Sequence, residues 1–476
     1  MGREAAFFDL DRTLLRGASG PILTAALREA GVMPDRSFPG EGLVYRLYDV
    51  VGETLPGMAL ARRAATYASG WSAGAVVEAA TEAAKVLTGR IQPYARQLMD
   101  EHRAAGRPVV LATTTPFDMV KPFADELGLD DVIATEYARS DDGLYTGGLV
   151  GDFVWGPGKL RAVRAWADEH DVDLKQSWAY SDSIYDVPLL SAVAHPTAIN
   201  PDPRLRVYAT LRRWPILFLD VPPGVPKLAG LEPFQLLMPF LRPEAYPYAR
   251  FDIDGTDQIP REGPVIVVAN HRSYFDTVAV SMTVARSGRP IRFLGKKEVF
   301  DAPVIGPVAR AMGGIRVDRG TGSSGPLDEA ARALQAGELV ALMPQGTIPR
   351  GRAFFDPVLK GRWGAARLAQ RTGASIVPLG IWGTEKVWPR SARVPNMLNV
   401  TSPPTVRVRV GRPFTVPGED LDADTEAIMA AIGDLLPPEA REHREPTAEE
   451  LALALPAGHK GDPDDEAELA RRPGTD

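Results

Sequence analysis

Asp9 and Asp11 stand two residues apart in FFDLDRTL, directly after a short apolar run. Further along come Thr113 at the end of VVLAT, Lys159 in GPGKL, and the pair Asp182 and Asp186 in YSDSIYD. A carboxylate attacks phosphorus only when the phosphoryl charge is neutralised and the leaving oxygen receives a proton. These residue types meet both needs. Asp9 suits the nucleophile, and Asp11 suits the acid that protonates the leaving group and then activates water. Lys159 and the Thr113 hydroxyl suit the phosphoryl oxygens, where they stabilise charge spreading in the transition state. Magnesium takes oxygen ligands, for which Asp9, the carbonyl of Asp11 and Asp182 are candidates, with Asp186 supporting Lys159 or the metal.

A second constellation lies in VVANHRSYFDTV, where His271 and Asp276 are five residues apart after a strand-like run. A carboxylate that fixes one imidazole nitrogen leaves the other free to take a proton from a hydroxyl. Another segment, FDIDGT at 251–256, imitates the first aspartate pattern closely. It runs straight into PREGPVIVVANHRSYFD with no threonine, lysine and paired-aspartate series of its own, so it reads as a strand and turn.

The elements that must position these residues follow from the hydrophobic pattern. AAFFDLD reads as a buried parallel strand ending at an active-site loop. PVVLATTT (108–115), DDVIATEY (130–137) and SWAYSDS (177–183) read as further strands, with helical stretches between them. The helical region 17–90 lies between the first strand and the others, where a cap would sit. A second alternating block begins near 250, with VIVVAN, IRFLG, GIRVD, LVALMP and SIVPLGI as strands. At 476 residues the chain exceeds one ordinary core. The expectation is two α/β domains, at 1–208 and 249–436, joined by an apolar and basic linker at 209–248 and followed by a mobile tail at 437–476.

Composition narrows the classes. Hydrophobic residues at 45% and charged residues at 24% fit a folded globular chain. A formal charge of -7 argues against wholesale nucleic-acid binding. With no cysteine there is no disulfide, thiolate metal site or cysteine nucleophile. The N-terminus carries no secretory pattern, which together with the absent cysteine predicts a cytoplasmic location.

Residues 5–205 resemble the haloacid dehalogenase-like hydrolases, in the branch that contains phosphoserine phosphatase. The resemblance implies a Rossmann-like core with a helical cap, Mg2+ as cofactor and a small phosphomonoester as substrate. Ala18 stands where phosphoserine phosphatases commonly place an acid for the substrate's amino group, which argues against phosphoserine. Residues 250–415 resemble the glycerophospholipid acyltransferases that make phosphatidic acid from 1-acylglycerol-3-phosphate, through the blocks NHRSYFD, GGIRVDR, MPQGTIPRG and IVPLGIWGTE. This implies an acyl-CoA or acyl-carrier-protein donor, Lys297 and Arg319 on the acceptor phosphate, and an acceptor pocket shaped by Gln345, Gly346, Thr347 and Arg350. The family usually has glutamate where Gln345 stands and arginine where Ile348 stands.

Together these expectations describe a bifunctional, peripheral enzyme of phospholipid synthesis at the cytoplasmic membrane face. Trp214, Ile216, Leu217, Phe218, Phe234, Leu237 and Phe240, with Arg212, Arg213, Lys227 and Arg242, suggest a linker that lies in the lipid interface or packs onto the acyltransferase domain. Its apolar runs are too short to span a bilayer. Two alternatives stay open: an acyltransferase on a retired phosphatase scaffold, and a lipid-binding or tethering module without catalysis.

Overall fold

The structure, a computed structural model, describes residues 2–34, 53–228, 230–303, 305–317 and 325–456. It divides into two compact units, Met1–Pro223 and Gly224–Asp476. The boundary expected at 208 falls inside the helix Pro203–Arg212.

Among the described residues the first unit contains seven strands. They are β1 (Ala6–Phe8), β2 (Val109–Pro116), β3 (Asp131–Arg139), β4 (Tyr145–Val150), β5 (Trp178–Ser181), β6 (His195–Ile199) and β7 (Ile216–Leu217). The spatial order is β4-β3-β2-β1-β5-β6-β7, with only the β3–β4 pair antiparallel. The central strand β1 is apolar at every position because both of its faces are covered. Phe7, Val110, Ala179 and Ala198 meet Val163, Leu189 and Leu205 on one face. Helices Gly20–Glu29, Leu55–Tyr67 and Ala73–Thr88 lie in the insert between β1 and β2. Their small side chains pack into a separate core with Tyr137 and Tyr145.

The second unit holds β8 (Arg250–Asp254), β9 (Val265–Ala269), β10 (Arg292–Lys296), β11 (Ile315–Val317), β12 (Leu339–Leu342), β13 (Ser375–Trp382) and β14 (Thr405–Val410). Their order is β11-β10-β12-β9-β13-β14-β8. β9, β10, β12 and β13 run parallel, so the loops at their C-terminal ends gather at one sheet edge, where α/β proteins build sites. FDIDGT is the strand β8 followed by a left-handed Gly255. There a Cβ would come within 2.5 Å of the Val410 carbonyl oxygen. Asp252 spends its charge on Arg409, 2.6 Å away.

Two expectations are corrected. Residues 209–248, expected as one linker, are divided between the two units. Ile216 and Leu217 join the first sheet as β7 and Trp214 packs on the first core, whereas Phe234 is wholly buried in the core of the second unit. Their apolar side chains find partners on folding, as apolar runs of this length usually do. Nor is 437–476 a uniformly mobile tail. Ala448–Ala454 is a helix with a Thr447–Glu450 capping box, and Ala454 packs on Ile348 and Phe354. Residues 457–476 lie outside the described ones.

Candidate active sites

The first site forms around the C-terminal ends of β1, β2 and β5. Phe8 pairs with Leu111 on one side and Tyr180 on the other. That register brings Asp9, Thr113 and Asp182 to one edge. After Asp9 the chain turns sharply, with Arg12 in left-handed backbone at φ +58°, a conformation that costs a non-glycine residue about 1–2 kcal/mol. The Asn200 side-chain amide donates to the Arg12 carbonyl at 3.2 Å and Arg12 N–H donates to the Gly17 carbonyl at 3.1 Å.

Lys159 is the hub. Its ammonium donates to Asp9 Oδ1 at 2.9 Å and Asp186 Oδ2 at 2.7 Å, and its side chain is buried. Gly158 before it must be glycine, since a Cβ would lie 2.2 Å from the Phe153 carbonyl oxygen. Ser181 Oγ also donates to Asp186 Oδ2, while Asp186 Oδ1 is buried without a partner among the described residues. Asp11 accepts from Ser19 N–H at 2.7 Å, and Arg12 sits 3.3 Å from Asp182. Thr113 Oγ1 accepts from Thr115 N–H at 3.2 Å, leaving its own hydrogen to donate.

Glu53, from the insert, completes this group and carried no sequence signal, being an isolated acid in a helical region. It accepts from Ser183 Oγ at 2.6 Å and Trp155 Nε1 at 3.0 Å. Five acids thus face two cations, and the carboxyls respond. Burial raises Asp9 despite Lys159, with Asp186 adding to the rise. Burial pushes Asp11 up to about 6, against the hydrogen bond from Ser19. Glu53 is pushed up to about 7, again mainly by burial and then by Asp186. Asp182 is raised well above the usual carboxylate range by burial, only partly offset by Arg12. Burial works against the charge on Lys159, but Asp186, Asp9 and Glu53 outweigh it and raise that group.

Among the described residues no three His, Cys, Asp or Glu side chains converge as a ready-made metal cluster. The donors expected for magnesium number two carboxylates and a carbonyl, so that criterion is not the one they must meet. The surplus of buried carboxylates and the unpaired Asp186 oxygen fit a hard divalent cation held by Asp9, Asp182 and the Asp11 carbonyl.

The second site is built by hydrogen bonds instead. His271 follows β9, and its Nδ1 lies 2.7 Å from Asp276 Oδ2. A carboxylate only accepts, so Nδ1 carries the proton and Nε2 is left as the base. Asp276, wholly buried at the start of the helix Asp276–Ala285, also accepts from Arg272 N–H at 2.6 Å and Ser273 N–H at 2.8 Å. Thr384 Oγ1 donates to its other oxygen at 2.5 Å. The His271 side chain stays 18% exposed, enough for a substrate to reach. Asn270 exchanges two hydrogen bonds with the Ile381 backbone, and Gln345 Oε1 accepts from His271 N–H at 2.6 Å. The Arg272 guanidinium lies between the rings of Phe354 and Trp382, at 4.2 and 4.0 Å, and 3.2 Å from Glu385.

Comparison with known proteins follows these two sites. The haloacid dehalogenase-like hydrolase family matches residues 6–191, and the acyltransferase family matches residues 250–382. A Streptomyces azureus protein named for inhibition of morphological differentiation is 36% identical over 220 residues, 45% of this chain and 78% of that relative. The chain belongs to the haloacid dehalogenase-like hydrolases. Its second unit carries an acyltransferase domain. A Mycobacterium tuberculosis protein named phosphoserine phosphatase is 37% identical over 215 residues, 44% of this chain and 70% of its own length. The solved structure of a 1-acyl-sn-glycerophosphate acyltransferase from Thermotoga maritima is 22% identical, covering 42% of this chain and 79% of its own, with a TM-score of 0.32.

In the hydrolase domain all the expected side chains gather at one strand edge. The acyltransferase domain is more selective. Lys297 opens the helix Lys297–Asp301 at the end of β10, exposed and 3.8 Å from Asp301. Gly346, Thr347 and Arg350 follow β12 on one loop, which turns at the left-handed Gly346. Ile348 is buried against Phe354 and Ala454. Arg319 lies outside the described residues. Asn270 and Thr384 were missed as site residues. They sit in NHRSYFD and IVPLGIWGTE, yet neither type announces a role without its partner in space.

Proposed function

We propose that the chain is a bifunctional enzyme of phospholipid synthesis, in which one domain hydrolyses a phosphomonoester and the other acylates 1-acylglycerol-3-phosphate to phosphatidic acid. The observation that carries it is that each domain holds its reactive pair ready at a parallel-sheet edge: Asp9 with Lys159, and His271 with Asp276.

In the hydrolase domain Asp9 attacks phosphorus, and the bond to the leaving oxygen breaks as Asp11 delivers its proton. Burial raises Asp11 to about 6, which brings its proton exchange closer to neutrality than an ordinary carboxyl's. Water then attacks phosphorus, its proton passing to Asp11, and the bond between phosphorus and the Asp9 oxygen breaks to release inorganic phosphate. Lys159 and Thr113 hold the phosphoryl oxygens. Asp9, Asp182 and the Asp11 carbonyl would hold Mg2+, which when bound would neutralise charge at the phosphoryl group.

In the acyltransferase domain Nε2 of His271 removes the acceptor's hydroxyl proton as that oxygen attacks the thioester carbonyl. The carbon–sulfur bond then breaks and the thiolate leaves with a proton. Asp276 keeps the imidazole in the one useful tautomer. Lys297 and Arg319 are assigned to the acceptor phosphate.

The lipid substrate requires a membrane face. Leu236, Leu237 and Phe240 are exposed on the second unit beside Arg242, and no helix among the described residues is long and apolar enough to cross a bilayer. Those side chains suit a peripheral contact. Incubating the purified chain with palmitoyl-CoA and lysophosphatidic acid, and separately with a phosphomonoester panel and Mg2+, tests the proposal. Phosphatidic acid and inorganic phosphate are the expected products. Failure to form phosphatidic acid refutes the acyl-transfer half, and failure to release phosphate refutes the other.

A further inference from the structure

Gln345 occupies the position where the resemblance places an acceptor-pocket glutamate, but its observed contact is with the enzyme's own catalytic loop. β9 lies between β12 and β13 in the sheet. The loop leaving β9 is held from both neighbours. On the β13 side, Asn270 donates to the Ile381 carbonyl at 2.8 Å and accepts from Ile381 N–H at 2.7 Å. On the β12 side, Gln345 Oε1 accepts from the backbone N–H of His271 at 2.6 Å. Asp276 then fixes the ring itself and is fixed in turn by Thr384 beyond β13.

From this we infer that Gln345 is a positioning residue for the histidine base and not a contact for the acceptor, an inference that rests on the acyl-transfer reading above. The hydrogen bond needs only an acceptor oxygen. Glutamine supplies it as well as glutamate does, which explains why the charge is dispensable here. Gln345 Nε2 has no partner among the described residues, so a hydrogen bond donated to the acceptor would come from that group. Positioning the base and donating to the acceptor therefore use different atoms of one side chain.

Substitutions separate them. Gln345→Leu and Gln345→Asn both remove the bond, the second because its amide is one methylene too short. Gln345→Glu keeps the accepting oxygen and removes the NH2 group. In steady-state assays of the full chain with palmitoyl-CoA and lysophosphatidic acid, the first two variants are expected to lose about 10- to 100-fold in kcat, the loss typical of a misplaced base. Their KM for lysophosphatidic acid should stay within about twofold, and Gln345→Glu should recover kcat to within about threefold. The slow hydrolysis of palmitoyl-CoA by water should fall in parallel, because it uses the same base without any lipid acceptor. Thermal melts check that each variant folds; if Gln345→Leu does not, the Asn and Glu pair carries the comparison alone. An unchanged kcat with raised KM, or a Gln345→Glu variant as impaired as Gln345→Leu, overturns the positioning role. A wild-type chain that transfers no acyl group to lysophosphatidic acid instead overturns the acyl-transfer reading, and this inference falls with it.

Discussion

On the proposed reading the two sites solve the same problem, placing a nucleophile at a parallel-sheet edge, with opposite materials. The hydrolase domain crowds Asp9, Asp11, Asp182, Asp186 and Glu53 around Lys159 and Arg12, so its energetics are governed by buried charge. Burial lifts most of those acids above the usual carboxylate range. The acyltransferase domain places one imidazole beside one carboxylate and neutralises nothing. Its precision comes from main-chain donors, Thr384, Asn270 and Gln345. A charge-built site responds to ions, whereas a hydrogen-bonded site responds to geometry.

That contrast breaks most cleanly at its centres. Asp9→Asn is expected to lower phosphate release by about 10³-fold or more while leaving acyl transfer intact, and His271→Ala should do the converse. Malachite-green and thiol-release assays on the same preparations read both. Next, EDTA should abolish phosphate release and Mg2+ restore it, whereas acyl transfer should change less than about twofold, since no metal enters proton transfer at His271. An EDTA-sensitive transferase would erase the distinction between the sites.

Two smaller effects sharpen it. Gly158→Ala forces a Cβ against the Phe153 carbonyl just before Lys159. It should cost about 1–3 kcal/mol in chemical denaturation and weaken phosphate release without touching transfer. The smallest effect concerns His102, which accepts from Arg107 at 2.9 Å and contacts the Tyr180 hydroxyl at 2.8 Å. Burial first, then Arg107, lowers its pKa from 6.5 to about 4. The unfolded chain therefore binds more protons between those values, and stability should fall as pH drops from about 6.5 towards 4. His102→Gln should flatten that slope in urea titrations across the window; an unchanged slope would remove His102 from the account.

How much was legible in the sequence follows from the same contrast. Asp9 and Asp182 announce themselves because each sits at the end of an apolar strand, and strand ends of a parallel sheet converge; Lys159, in the first turn of the helix Pro157–Glu169, is legible only from its GPGKL block. Glu53 does not announce itself, since the insert's fold over the site depends on packing that has no short-range pattern. The blocks around His271 and Gln345 were visible as motifs, but the bond between them joins residues 74 apart and its direction reassigns Gln345. The strands β4, β6, β7 and β14 went unread. β7 is two residues long inside WPILFL, where apolar character alone does not separate a sheet strand from a lipid contact. The helix Ala448–Ala454 hid in a segment rich in Pro, Ala and Glu, and its anchor, Ala454 against Ile348, is tertiary.

The central claim is that one chain holds two independent active sites. Phosphate release and phosphatidic acid formation measured side by side on wild type, Asp9→Asn, His271→Ala and the double variant test it most directly. The account predicts that each single variant silences one activity and spares the other, with the double variant lacking both. Loss of both activities in either folded single variant, or survival of either activity in its own variant, would contradict it.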